Sequence, residues 1–173
     1  MLAYHDTEWG VPTRDDGELF ERLVLETFQA GLSWQTILNK REAFRAAFDD
    51  FDLAAVAGYA EEDRARLMAD AGIVRNRAKV EATIANAAAV LAVAAELGSF
   101  DAYLATIVPR PALPLPRTAV GGDIPSTTPV GDALSKDMKR RGFRFVGPTV
   151  VYSFMQSVGL VDDHLPGCFR YRG

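Results

Sequence analysis

The 173-residue sequence has little cysteine, little histidine and no excess of positive charge. Its one cysteine, Cys168, excludes an intrachain disulfide and suits a reducing compartment. No uninterrupted apolar run reaches the roughly 18 residues that a bilayer span needs. The most apolar stretch, residues 82–97, is alanine-rich and contains Asn86 and Glu96. Met1 is followed almost at once by His5, Asp6 and Glu8, which is unlike a secretory leader. These features set the expectation of a cytoplasmic protein with no membrane partner, and a monomer is the default state. Strand-like alternation of useful length and internal repeats are also missing. The net charge of −4 argues against a polycation that coats nucleic acid without discrimination.

What is present is ordinary globular material, 49% apolar and 24% charged, enough for one compact domain or two lobes sharing one core. The periodicity is helical almost throughout, so the fold class is all-α. Asp16 is a plausible N-cap for a helix whose stripe is Leu19, Phe20, Leu23, Val24 and Phe28, stopped by Gly31. Ser33 caps the next, carrying Trp34, Ile37, Leu38, Phe44 and Phe48. Asp52 opens a short helix, and residues 61–71 form another closed by Gly72. Asn76 caps the alanine-rich helix that Gly98 ends, and residues 100–108 add a short one. Residues 109–129 hold six of the nine prolines and read as a long irregular connection. Helices return at 132–141 and 148–158.

Four groups of residues carry possible chemistry. Between the last two helices lies Gly142-Phe143-Arg144-Phe145-Val146-Gly147-Pro148, preceded by Lys136, Lys139, Arg140 and Arg141. Pro148 suits a first helical position, Gly147 permits close backbone approach, and the open amides there would accept a phosphate oxygen. This reads either as a helix-hairpin-helix that grips a DNA strand without reading bases, or as a turn with a solvated basic face. Glu26 follows Leu19 and Leu23 on an apolar face, where a carboxylate needs a partner or a ligand. It is either one half of a salt bridge to a buried arginine or the receiver of a cationic or amine-bearing ligand, with Gln29, Ser33 and Trp34 nearby. Tyr4, Trp9 and Trp34 are either core residues or faces on which a flipped base stacks and to which positive charge is drawn. His5 with His164 and Cys168 offers three donors of the kind zinc takes, or an incidental cluster at a capped terminus.

Several long strings in register resemble the 3-methyladenine DNA glycosylase I family. They are YHDTEWGVP from Tyr4, ETFQAGLSW from Glu26, DAGIVR from Asp70, IPSTTP from Ile124, DALSK from Asp132, RGFRFVG from Arg141 and YSFMQSVGLVDDH from Tyr152. Together they cover nearly the whole chain in the family's order. The resemblance implies a single helix-hairpin-helix glycosylase domain over 1–173, with the hairpin at about 132–158. It implies monofunctional removal of N3-methyladenine from alkylated double-stranded DNA, with free 3-methyladenine as product. Glu26 matches the catalytic carboxylate that hydrogen-bonds the excised base, and Tyr4, Trp9 and Trp34 match aromatic positions around it. Lys136, Lys139, Arg140, Arg141, Arg144 and Gly147 fall in the DNA-gripping hairpin. His5, His164 and Cys168 match three of four Zn2+ ligands, the fourth being a cysteine upstream of the Tyr4 string. No organic cofactor is implied, and no lysine follows Lys139 to form a Schiff base in the C-terminal helix. The rival readings are a zinc hydrolase using an open coordination position, and a damage-recognition module that does not cut.

Overall fold

A computed structural model describes residues 2–110 and 118–172, apart from the side chain of Asp123. Ten α-helices are found among the described residues: α1 Leu2–Thr7, α2 Asp16–Gln29, α3 Trp34–Asn39, α4 Arg41–Ala47, α5 Leu53–Ala57, α6 Glu61–Ala69, α7 Arg77–Leu97, α8 Phe100–Ala105, α9 Pro129–Arg140 and α10 Pro148–Ser157. The expected all-α class holds.

Helix α2 is the axis of the molecule and packs against α3, α7, α8 and α10. Its stripe of Leu19, Phe20, Leu23, Val24 and Phe28 is fully buried, as the spacing predicts. The cap differs. Asp15 is the N-cap and accepts from the Glu18 amide at 2.9 Å. Asp16 instead accepts from the amides of Phe100 and Asp101 at the start of α8. Two adjacent acids thus serve two helix starts, one local and one distant, and only the tertiary contact decides which does which.

Helix α7 is apolar on most sides because its alanines let neighbours approach from several directions. It packs against α2, α5, α6 and α8. Asn76 caps it through the Lys79 amide, and Gly98 ends it in a left-handed conformation at φ 101°. With a mean hydropathy of 1.6 it is long and apolar enough to cross a membrane, contrary to the expectation that no stretch would be. Half of that window is buried inside the fold, so it is the core helix here.

Other boundaries also move. The helix expected to carry Trp34 to Phe48 breaks at Lys40, whose ammonium donates to the carbonyls of Ala71 and Gly72 at 3.0 Å. Helix α6 ends at Ala69 because Asp70 turns back to accept from the Gly72 amide, so Gly72 is not a left-handed terminator. Part of the expected irregular connection, residues 111–117, lies outside the described residues. Its far end is shorter than expected, since Thr128 caps α9 and Pro129 is the first helical residue.

The turn between α9 and α10 is held from outside. Asn86 on α7 accepts from the Arg144 amide at 2.7 Å and donates to its carbonyl at 3.1 Å. Ser135 donates to the Val146 carbonyl at 2.6 Å. These bonds support a backbone with positive φ at Gly142 and at Phe145, the latter costly for a residue with a side chain.

Candidate functional site

A cavity of about 310 Å³ opens where α1 and the segment after it meet α2, α3 and α10. Tyr4, Trp9, Glu26 and Trp34 all line it, so the four residues singled out around a base pocket converge in space. The rings of Tyr4 and Trp34 lie 5.3 Å apart, tilted by 54°. His5 stacks on Trp9 at 5.9 Å. Gln29 completes the α2 side, while Ser153 and Gln156 face the cavity from α10. Those last two were not picked out by sequence reasoning. Their signal is slight: two polar residues three apart on an otherwise mostly apolar helix.

Tyr4 is fixed by a network of charges beneath the cavity. Arg22 donates to the Tyr4 hydroxyl at 3.0 Å and to Glu8 at 2.7 Å, and Arg41 reaches Glu8 at 2.7 Å. Arg41 and Arg45 also hold Glu21. Helices α2 and α4 and the segment just after α1 are therefore cross-linked by ion pairs. Burial pushes the Tyr4 hydroxyl up to about 12, against the pull of Arg22, so it remains a neutral donor.

Glu26 stands apart from this network. It is 6% exposed, yet no hydrogen bond or ion pair to it is found among the described residues. Arg22, one turn earlier on the helix, is the arginine a salt bridge would need, and it is engaged by Tyr4 and Glu8. Burial raises the Glu26 carboxyl to about 8, with Arg22 only partly opposing the shift. Burial therefore favours the protonated carboxyl of Glu26. An ionised carboxylate, as the cation-receiver reading supposes, requires something to enter and favour the charge.

His5, His164 and Cys168 also come together, with one ligand atom from each within 4.8 Å of the others. The Cys168 Sγ lies 3.5 Å from His5 Nε2. His164 Nδ1 is 2.8 Å from the Asp162 carboxylate, which orients the ring, while its Nε2 is buried and has no partner. An orphaned imidazole nitrogen aimed at a second imidazole and a thiol, with a carboxylate behind it, fits a zinc-type donor set.

The predicted DNA-facing residues separate into two kinds. Lys136, Lys139, Arg140 and Arg144 are exposed around the α9–α10 turn. Arg141 is turned inward, bonding Glu96 at 2.7 Å and Asp137 at 2.9 Å and lying over the Tyr103 ring. Its guanidinium packs helices together, contrary to the expectation that it reaches for phosphate. Gly147 caps α10 without a side chain, and a Cβ added there would meet nothing within 4 Å.

The chain matches the model of the methyladenine glycosylase family over residues 1–171. It is 49% identical to DNA-3-methyladenine glycosylase 1 of Escherichia coli K12, covering 99% of this chain and 91% of that protein. It is 44% identical to the DNA-3-methyladenine glycosylase of Haemophilus influenzae, over 96% of this chain and 90% of that one. A crystal structure of a 3-methyladenine DNA glycosylase I superposes with a TM-score of 0.94 at 48% identity, covering 99% and 93% of the two chains. The Staphylococcus aureus enzyme, in a structure describing 3-methyladenine recognition, superposes with a TM-score of 0.93 at 40% identity, covering 99% and 91%.

Proposed function

The chain belongs to the methyladenine glycosylase family, and from that premise we propose how its residues excise the damaged base. It is a DNA-3-methyladenine glycosylase, a hydrolase of base-excision repair acting on alkylated DNA. The observation that carries the residue-level account is Glu26, a buried carboxyl without a partner in an aromatic-lined cavity.

N3-methylation gives adenine a positive charge, which weakens its bond to the sugar. The enzyme flips the nucleotide out of the stack and receives the charged base between Tyr4, Trp9 and Trp34. As the cation enters, it favours ionisation of Glu26, and a proton leaves the pocket. A neutral adenine brings no such charge and meets a protonated acid, so selectivity follows from the linkage between cation binding and ionisation. Water then attacks the sugar C1′. The electrons of the glycosidic bond pass to the base, which departs as neutral 3-methyladenine, and the water loses one proton. The leaving group needs no proton of its own, so no general acid is required. Among the described residues, those lining the cavity include no lysine, which supports plain hydrolysis over a Schiff-base route.

The exposed Lys136, Lys139, Arg140 and Arg144, with the amides beginning at Gly147, are proposed to hold the phosphate backbone. His5, His164 and Cys168 are proposed to hold Zn2+, which would clamp the N-terminal segment to the C-terminal one and supply no chemistry to the reaction. A monomer in the cytoplasm is the working assumption, checked by light scattering and by fractionation. Incubating the purified protein with methylated duplex DNA and identifying released bases by chromatography tests the function. Release of 3-methyladenine is expected. A folded, DNA-bound protein that frees no base would overturn the reading.

A further inference from the structure

Charge alone does not separate one alkylated purine from another, because methylation at N7 of guanine also yields a cation. The two bases differ at position 6, where adenine carries an amino group and guanine an oxo group. A pocket must therefore present the right partner there. Gln156 lines the cavity from α10, and its amide is held by a specific neighbour. Its Nε2 donates to Asp163 Oδ2 at 2.8 Å, and the same oxygen receives the Tyr152 hydroxyl at 2.7 Å. Asp163 is 7% exposed and, as a carboxylate, can only accept. The amide thereby turns its nitrogen to Asp163, which leaves Oε1 and the second N–H as its remaining polar groups. No hydrogen bond to that oxygen is found among the described residues.

We propose that Gln156 is a specificity-determining residue whose fixed amide oxygen accepts a hydrogen bond from the exocyclic amine of the bound purine and repels a 6-oxo group, with Asp163 as the residue that positions it. The proposal rests on the excision activity described above and assigns a separate task within it. Glu26 and the aromatic faces select for positive charge, and Gln156 selects for an amino-purine among cations. Asp163 lies just past the hairpin in the chain but acts through Gln156 rather than on the sugar.

The two roles give opposite results under one substitution. In Asp163→Asn an amide replaces the acceptor, can donate to Gln156 Oε1, and lets the Gln156 amide reverse so that its NH2 group faces the cavity. The readout is the ratio of 3-methyladenine to 7-methylguanine released from the same methylated duplex. The ratio is expected to fall about tenfold, the weight of one buried hydrogen bond. Gln156→Leu, on a half-buried residue, supplies the second variant should the asparagine variant melt. It is expected to lower kcat/KM for 3-methyladenine about tenfold and to raise 7-methylguanine release, because the repelling oxygen is gone. Ratios equal to wild type in a folded variant, or equal loss of both bases, overturn the proposal. A wild-type protein that releases neither base overturns the excision reading instead, so the two failures are distinguishable.

Discussion

Glu21 and Glu26 sit five positions apart on helix α2, both buried, and they meet opposite fates. Burial pushes Glu21 upward, but hydrogen bonds from Arg41 and Arg45 outweigh it and hold the carboxyl below its ordinary value. Burial pushes Glu26 upward too, and with Arg22 engaged elsewhere nothing reverses it, so it rests near 8. Desolvation is common to both. The difference lies in which neighbouring cations are already satisfied. The lower region is a finished ion-pair lattice that holds helices, and the upper one is an incomplete site awaiting a positive charge.

The largest effect is expected from removing the incomplete site's acid. Glu26→Gln should slow base release about a hundredfold, in the range found when one charge-stabilising group is lost from an active site. Measured against pH, wild-type kcat/KM should rise through about pH 8 and level off above it, because the charged base binds the ionised carboxylate. The glutamine variant should be flat through the same window. Stability tells the converse story. A folded-state value raised from 4.5 to about 8 means the protonated form favours folding. That contribution is complete below about pH 4.5 and is lost as pH rises through 8, on the order of 5 kcal/mol in all. Glu26→Gln should therefore melt with less dependence on pH, and a wild-type slope retained in the variant would place the titration elsewhere.

Breaking the finished lattice should do the reverse. Glu21→Gln leaves Arg41 and Arg45 without their shared carboxylate and should cost about 3 kcal/mol in denaturant unfolding. Base release per folded molecule should change far less than in the Glu26 variant. A large catalytic loss without a stability loss would merge the two regions into one.

The smallest effects test the same contrast at the hairpin. Replacing Lys136 and Lys139 with alanine should lower the slope of log affinity against log salt by about 2, with thermal stability near wild type. Arg141→Ala should leave that slope unchanged and lower the melting temperature slightly, since its partners are Glu96 and Asp137. A changed slope for Arg141→Ala would return it to the DNA interface.

These contrasts mark where sequence reading stops. The buried stripe of α2 and the caps at Ser33, Asp52 and Asn76 follow from spacing and local hydrogen bonding, and the structure has them. Glu26 was visible because a carboxylate on an apolar stripe breaks a pattern. The exchange of roles between Asp15 and Asp16 was not, because the deciding partner, Phe100, is 84 residues away. A run of five cations likewise conceals that Arg141 is held by Glu96, 45 residues distant. Gln156 and Ser153 stayed hidden for a third reason. A polar residue on a C-terminal helix is unremarkable until a segment from the other end of the chain is laid against it.

That closure joins the earliest and latest parts of the sequence, with His5 and Cys168 in contact across 163 positions. Synthesis proceeds from one to the other, so Tyr4, Trp9 and Glu26 leave the ribosome long before Ser153 and Gln156 exist. A nascent or prematurely terminated chain carries the acid and the aromatic rings but half a cavity. The cavity is therefore complete only once α10 has been made and laid against the N-terminal segment.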